Sequence, residues 1–450
     1  MAQRTAPWQA KARWFAAALA LVSGVGSGLA SATPLAVHEG VASCGGTTCH
    51  GRQEATGPRV RQNELLTWAN PASVTGAHAR AWSVLKAPRA QAIGARLGID
   101  DVAQSRECLA CHGDPAPERG PLWQQADGVG CEACHGGSAR WLASHTAVAA
   151  THDDNVARGM WALERASVRA NVCLDCHYGS NKPGQFVTHR IMAAGHPRVA
   201  FELDLFTALQ SHHDEDSDYA RRKAIAGGIK IWAVGQALAV KRTLALYPAR
   251  SGGGFPEFYF YDCRSCHRGV SDDPAAALTA RTNPGRPTPP GQPVWNDESL
   301  IMLAAAARVA APALGVQLEQ QSRAFHASLG GDRTGALQAA AALAKTTDAL
   351  AAAFESNRFD KAQTFAMLDA VLVGNAARYT DYQGGAQAVM AADTLISALV
   401  SSHHVDRGAA LAIRPDLDRA YAAARDANRW QPTEFRAAMA GVAGKIRMLR

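Results

Sequence analysis

The sequence predicts a mostly α-helical protein with little regular sheet, in which a cysteine-containing N-terminal part is followed by an all-α helical bundle. Two observations support this fold class. All ten cysteines lie before residue 270, in short runs separated by loops and brief amphipathic stretches. From residue 297 onward there is no cysteine, alanine is frequent and apolar residues recur at helical spacing. This pattern predicts C-terminal helices near 297–309, 313–328, 333–355, 360–376, 384–400, 415–427 and 432–448.

The first 32 residues have the pattern of a secretory signal peptide. Arg4, Lys11 and Arg13 precede an apolar stretch at 15–25, and Ala30-Ser31-Ala32 fits a cleavage site. The apolar stretch is too short for a good transmembrane helix, although an uncleaved anchor remains an alternative. No second apolar run of spanning length follows. We therefore expect a periplasmic protein without an integral membrane span after cleavage.

The ten cysteines all belong to five runs in which a histidine directly follows the second cysteine. In four runs two residues separate the thiols, which is the attachment motif of a c-type haem. The first run has four residues between its thiols, and Gly45 and Gly46 would let that loop fold tightly. The five runs, called motifs one to five, are residues 44–50, 108–112, 131–135, 173–177 and 263–267.

The motifs predict five covalently bound haem c groups. Two thiols in each motif would form thioethers with the haem vinyls, and the histidine would bind the iron. The predicted attachment residues are Cys44, Cys49, Cys108, Cys111, Cys131, Cys134, Cys173, Cys176, Cys263 and Cys266, and the predicted proximal ligands are His50, His112, His135, His177 and His267. The alternative for a Cys-x-x-Cys pair is a zinc or thiol site, but neither needs the histidine that follows every time.

A second histidine from elsewhere in the chain is the usual partner of a c-type haem iron, unless a methionine binds or the position stays open. Eight further histidines lie in the haem region, a surplus over five irons. The predicted distal ligands are His78, His145, His189, His196 and His212. We expect a helix from about Val187 to Gly195, so that His189 and His196 would stand about two turns apart and could serve neighbouring haems.

Other residues remain alternatives to these distal ligands. His213 is the rival of His212, and the reserves are His38 and His152. The sulfur atoms of Met160 and Met192 could also bind iron, although methionines more often fill core space. We expect His326, His403 and His404, in the C-terminal part, to lie at the surface.

The composition argues against a nucleic-acid partner. The formal charge of +7 includes three cations of the signal peptide, and ten propionates of five haems would offset the rest. There is also no basic run with interleaved aromatic residues. The partners we expect are redox proteins of the periplasm, and the oligomeric state is open.

The segment Gly128 to Gly136, with Trp141 and His145 after it, resembles the multihaem cytochromes c related to the tetrahaem cytochrome of ammonia-oxidising bacteria. The segment Thr75 to Ala81 resembles a distal-ligand segment of that family. The resemblance covers about residues 37–270, and the stretch from His189 together with the C-terminal part is similar to a longer, five-haem bacterial offshoot. It implies a mostly helical fold with closely packed haems and electron transfer in the periplasm.

Together these observations predict four segments: a signal peptide at 1–32, a pentahaem cytochrome c domain at 33–281, a Pro/Gly linker at 282–295 and an α-helical C-terminal domain at 296–450. The favoured function is electron transfer through a chain of five haems. One alternative is a multihaem oxidoreductase with an open iron that acts on a small nitrogen or sulfur compound, with Arg190, His213, Asp214 and Tyr219 near that iron. Another is a structural or binding subunit of a respiratory complex.

Overall fold

The structure is a computed structural model that describes residues 36–57, 61–198, 200–213, 224–250, 256–267, 283–289 and 291–450. The predicted signal peptide lies outside the described residues, as do positions 282 and 290 of the predicted linker. The described residues are mostly α-helical, which confirms the predicted fold class.

The haem region consists of short helices joined by long irregular segments, as expected where covalent groups supply much of the core. Its helices are α1 (Val41–Cys44), α2 (Glu64–Trp68), α3 (Pro88–Leu97), α4 (Arg106–His112), α5 (Glu132–His135), α6 (His152–Ala157), α7 (Ala166–His177), α8 (His189–Ala193), α9 (Leu203–Leu209) and α10 (Gly228–Arg250). The one sheet among the described residues pairs β1 (Val37–His38) with β2 (Glu118–Arg119) in parallel.

The C-terminal part is a set of longer helices close to the predicted positions. They are α11 (Glu298–Ala310), α12 (Pro312–Ser328), α13 (Arg333–Ser356), α14 (Lys361–Asp369), α15 (Tyr382–Ser401), α16 (Arg407–Leu411), α17 (Arg414–Ala423) and α18 (Pro432–Arg447). A π-helical turn, Ala370–Gly374, extends α14 to nearly its predicted end. The short helix α16 is absent from the sequence-based assignment.

The sequence offers four candidate caps for the C-terminal helices, namely Asn296, Asp332, Asp360 and Thr433, and two of them occupy the N-cap position. Asp332 accepts a hydrogen bond from the Gly335 N–H, and Asp360 forms a capping box with Gln363. The prediction was wrong for Thr433, because Pro432 already begins α18. Asn296 lies one residue before the N-cap position, which Asp297 occupies, but its Oδ1 accepts the Glu298 N–H at 3.4 Å.

Helix α10 lies at the centre of the main hydrophobic core. Its buried residues extend around the helix instead of forming one stripe, which is typical of a helix covered on all sides. It packs against α7 of the haem region and against α11, α13 and α15 of the C-terminal part. Residues on both sides of the predicted linker therefore share one core, and 36–450 form one compact unit. The domain boundaries remain a prediction.

One C-terminal histidine is placed differently from the prediction. His403 and His404 are exposed as expected, but His326 is fully buried. Its Nδ1 lies 2.8 Å from the Ser322 carbonyl oxygen, and burial lowers its pKa to about 3. His326 is thus a neutral core residue, because the face of α12 that carries it is turned inward.

No helix within the described residues is both long and apolar enough to cross a membrane.

Candidate haem-binding sites

Local helical geometry brings the three functional side chains of a motif together. Motif two lies on α4, motif three at α5 and motif four at the end of α7. In a helix, residues i, i+3 and i+4 share one face, so both thiols and the histidine of each motif point the same way. A Cys-x-x-Cys-His run that ends a helix thus presents two nucleophilic sulfurs and one imidazole to a single planar group.

Motif one reaches a similar arrangement without a regular helix across it. The His50 N–H donates to the Cys44 carbonyl oxygen at 3.0 Å, which closes the four-residue insertion into a compact loop. A Cβ atom on Gly51 would lie 1.9 Å from the Gly45 carbonyl oxygen, so the loop requires glycine there. The four residues between the thiols therefore fold tightly, but the close backbone contact that requires glycine is at Gly51 and not at the predicted Gly45 or Gly46.

Each of the five motif histidines faces one of the five predicted distal histidines. Two imidazoles on one metal would have ring centres about 6.2 Å apart, since each nitrogen–metal bond is roughly 2 Å and each ring centre lies about 1.1 Å behind its nitrogen. The observed centroid distances are 6.3 Å for His50–His145, 6.3 Å for His177–His78, 6.3 Å for His112–His196, 6.2 Å for His135–His212 and 6.0 Å for His267–His189. The side chains present thus fit five irons with two imidazoles each.

Backbone carbonyl groups orient several of these rings. Nδ1 of His112 lies 2.9 Å from the Ala81 carbonyl oxygen, and Nδ1 of His145 lies 2.6 Å from that of Leu142. Carbonyl oxygens also lie next to Nδ1 of His196, at 2.8 Å, and of His212, at 3.1 Å. A proton held on Nδ1 leaves the Nε2 lone pair free, which is the form of histidine that binds a metal.

Two contacts near the motif histidines have no clear signal in the sequence. Glu64 Oε2 lies 2.9 Å from His50 Nδ1, and the Phe201 ring stacks on His177 with a centroid distance of 4.3 Å. Burial, and secondarily the nearby His78, lowers the pKa of His177 to about 4. Its imidazole is therefore neutral at pH 7, as metal binding requires.

The alternative ligands lie elsewhere. His213 packs edge-on against His212, 5.1 Å between ring centres, instead of facing a motif histidine. His152 pairs with Glu164 at 3.1 Å, and His38 pairs with Asp114. Met192 packs against the main hydrophobic core. Asp214 and Tyr219, named for the enzyme alternative, lie outside the described residues, and Arg190 donates to the Leu97 carbonyl oxygen.

The expected helix through His189 and His196 is shorter in the structure. Helix α8 ends at Ala193, and Gly195 has a φ of 114°, which turns the chain before His196. The two histidines are therefore not on one helical face. They nevertheless face different motifs, His189 towards motif five and His196 towards motif two.

Contacts between cysteines of different motifs give the order of the sites. The Cys44 and Cys131 thiols lie close enough that each shifts the pKa of the other, downward for Cys44 and upward for Cys131, which places motif one beside motif three. The Cys111 and Cys176 thiols shift each other's pKa in the same way, upward for Cys111 and downward for Cys176, so motifs two and four are neighbours. Cys134 interacts electrostatically with Cys176, so motifs three and four are neighbours too. The sites thus follow the order one, three, four, two.

Solvent exposure differs along this series. The histidines of motifs one and five are exposed, whereas those of motifs two, three and four are half-buried. The histidines of motifs one and five are therefore the most accessible of the five motif histidines.

Comparison with known proteins gives one match. Residues 47–136 match the family described as cytochrome c554 and c-prime. This segment is about a fifth of the chain, and it holds most of motif one, all of motifs two and three, and His78. No curated protein and no solved structure matches the chain. The match confirms the resemblance inferred from the sequence: residues 47–136 of the chain are similar to the family of cytochrome c554 and c-prime.

Proposed function

We propose that this chain is a periplasmic electron carrier that holds five covalent haems, each with two histidines on its iron. The observation that carries the proposal is the five-fold pairing of a motif histidine with a second histidine at 6.0–6.3 Å. The proposed pairs are His50 with His145, His112 with His196, His135 with His212, His177 with His78 and His267 with His189. The predicted signal peptide is the ground for the periplasmic location.

The protein's own residues would keep the ligation unchanged between oxidation states. Carbonyl oxygens fix the imidazoles of His112, His145, His196 and His212 in one orientation before any metal is bound. Pre-set ligands need little movement when the metal charge changes, which favours fast electron exchange. When bound, each haem supplies one-electron redox chemistry.

Adjacent sites would form one continuous path. Motif five would be next to motif two in this path. His189 faces motif five and His196 faces motif two, and only six residues separate them in the chain. These two histidines lie within roughly 17 Å of each other, from four helical steps of about 1.5 Å and three steps of at most about 3.6 Å. The proposed path is therefore one, three, four, two, five, with its exposed ends at motifs one and five.

The C-terminal helices would cover the fifth site. The Gln383 side chain on α15 lies 3.7 Å from Cys263 Sγ, and the Arg264 side chain donates to the Trp430 carbonyl oxygen at 3.4 Å. Trp295 stacks on Phe260, just before motif five, with a centroid distance of 5.4 Å. These contacts support a cover over the Cys263 side of this site, while Cys266 and His267 stay exposed.

The enzyme alternative needs an iron with an open axial position. Within the described residues, each motif histidine already faces a second histidine, so no observation favours an open site. Electron transfer is therefore the function that we propose.

The test is the haem-loaded protein itself. The mass of the mature chain should correspond to five haems, and a low-temperature EPR spectrum of the oxidised protein should contain only low-spin iron. Two imidazole pairs are nearly parallel, at 13° and 25°, and three are nearly perpendicular, at 79°, 83° and 88°. Two classes of low-spin signal in a two-to-three ratio are therefore expected, the perpendicular class with the larger maximum g value. A high-spin signal equivalent to a full haem, or fewer than five haems, would contradict the proposal.

Single substitutions assign the pairs. His145→Ala and His189→Ala should each convert one haem to high spin and leave the other four unchanged. His152→Ala is the matched control, because His152 faces Glu164 and should leave every signal in place. If His152→Ala changed the spectrum and His145→Ala did not, the assignment of motif one would be wrong.

A further inference from the structure

Three segments of the haem region bring a buried group of potential metal ligands together. His38 comes from β1, Asp114 follows α4, and Glu132 lies between the thiols of motif three. One ligand atom from each residue can be chosen so that all three lie within 4.8 Å of one another. The residues are only 4%, 9% and 2% exposed. None of the three is among the proposed iron ligands, although Asp114 and Glu132 act electrostatically on the attachment thiols Cys134 and Cys131.

The hydrogen bonds of this cluster leave one buried oxygen without a donor. His38 Nδ1 lies 2.9 Å from Asp114 Oδ2 and 2.8 Å from Oδ1. A single ring N–H cannot satisfy both oxygens, and Oδ1 accepts no hydrogen bond. Burying a carboxylate oxygen without a hydrogen-bond donor costs free energy. This Asp114 oxygen lies next to the His38 imidazole.

Glu132 is held as a rigid ligand. Its Oε1 accepts backbone N–H groups of Glu39, at 2.9 Å, and Ser138, at 2.7 Å, while Oε2 accepts only the Gly40 N–H, at 2.7 Å. The carboxylate is thus fixed from three directions, and Oε2 keeps a lone pair. Such a pre-positioned oxygen needs no reorganisation to bind a cation.

The charge in this region calls for a cation. Asp114 and Glu132 supply two buried carboxylates, and His38 is the one basic side chain of the cluster. Carboxylates buried this close together need a counter-charge, which one divalent ion would supply in full.

We propose that His38, Asp114 and Glu132 bind one divalent metal ion of the zinc type. One imidazole nitrogen and two carboxylate oxygens are donors that Zn²⁺ accepts, and a water would complete a four-coordinate site. Zinc undergoes no redox change, so the ion has a structural role. It links β1, the segment after motif two and the loop of motif three, and it thereby holds the N-terminal strand against two haem-attachment motifs.

Metal analysis of the haem-loaded full chain tests the site. The protein is equilibrated with Zn²⁺, dialysed to remove loose ions and analysed for zinc, with haem iron as the internal measure of protein. We expect one zinc per chain. Protein that holds no zinc above the buffer level would overturn the proposal without any variant.

Substitutions then locate the ion. Asp114→Asn keeps the size of the side chain and removes a charge, and it should abolish zinc retention. Glu132→Gln should also abolish zinc retention, and a second variant guards against a folding defect in the first. The haem absorption spectrum shows whether both variants fold. Glu164→Gln is the control, since Glu164 pairs with His152 outside the cluster and should leave zinc content unchanged. Full zinc retention in both cluster variants would show that the ion binds elsewhere and refute the assignment.

Discussion

Arg286 should be among the most stabilising side chains of the C-terminal part. Its side chain is 1% exposed, and it lies within the segment that the sequence marks as a linker. Its Nη1 lies 3.0 Å from an Asp297 oxygen and 2.9 Å from an Asp381 oxygen, and Nη2 donates to the Thr380 hydroxyl. One guanidinium therefore pairs with two carboxylates, Asp297 just before α11 and Asp381 just before α15.

Replacing Arg286 with Met leaves both carboxylates buried without their cation. Breaking a buried ion pair on one side costs about 3–5 kcal/mol, which is roughly two to four orders of magnitude in the unfolding equilibrium. The loss should depend on pH. Burial, opposed by Arg286, raises the pKa of Asp297 to about 6, so Asp297 becomes neutral as the pH falls below that value. A neutral carboxyl needs no counter-charge, and the penalty should shrink.

Denaturant unfolding of the haem-loaded protein, followed by circular dichroism, measures this effect at pH 7.5 and pH 5.5. Arg308→Met is the matched control, because Arg308 is partly exposed and lies 3.4 Å from Glu319. It should cost no more than about 1 kcal/mol. If Arg286→Met cost less than about 1 kcal/mol at pH 7.5, or cost more at pH 5.5 than at pH 7.5, the account of this cluster would be refuted.

Three further predictions follow from single buried groups. Burial raises the pKa of Glu202 to about 7, so the folded protein should lose stability as the pH rises from about 5 to above 7; Glu202→Gln should remove this slope in denaturant titrations. Burial likewise raises the pKa of Asp262, next to Cys263, to about 6. Reduction removes a positive charge and favours the protonated carboxyl, so one reduction potential should fall as the pH rises through 6; spectroelectrochemistry should show that Asp262→Asn abolishes this dependence. Gly128 has a φ of 67°, and a Cβ there would lie 2.6 Å from the His78 carbonyl oxygen. Gly128→Ala should lower stability by about 1 kcal/mol or more and shift the EPR signal of the haem that His78 binds.

The helices of the C-terminal part show which features a local sequence pattern can predict. Asp332 and Asp360 cap α13 and α14 as predicted, because a cap depends only on residues a few positions apart. His326 shows the limit. The residues around His326 do not indicate that it is buried. The neighbouring helices decide which face of α12 turns inward.

The sequence by itself determined the attachment motifs and the fold class. Two thiols and a histidine must lie within about one helical turn to bind a single planar group, so the residues of one attachment motif are close together in the sequence. It also singled out His78, His145, His189, His196 and His212 as a set, since the haem region holds more histidines than its motifs require.

Only the tertiary structure decided which histidine faces which motif. His78 meets His177 and His50 meets His145, across about a hundred residues of chain in each case, and no local pattern relates such positions. The tertiary structure alone also brings His38 together with Asp114 and Glu132. From the sequence, His38 was only an alternative haem ligand. The histidines face one another because packing fixes distant segments of the chain relative to one another. Contacts between distant segments depend on that arrangement, whereas the motifs depend only on the covalent chain.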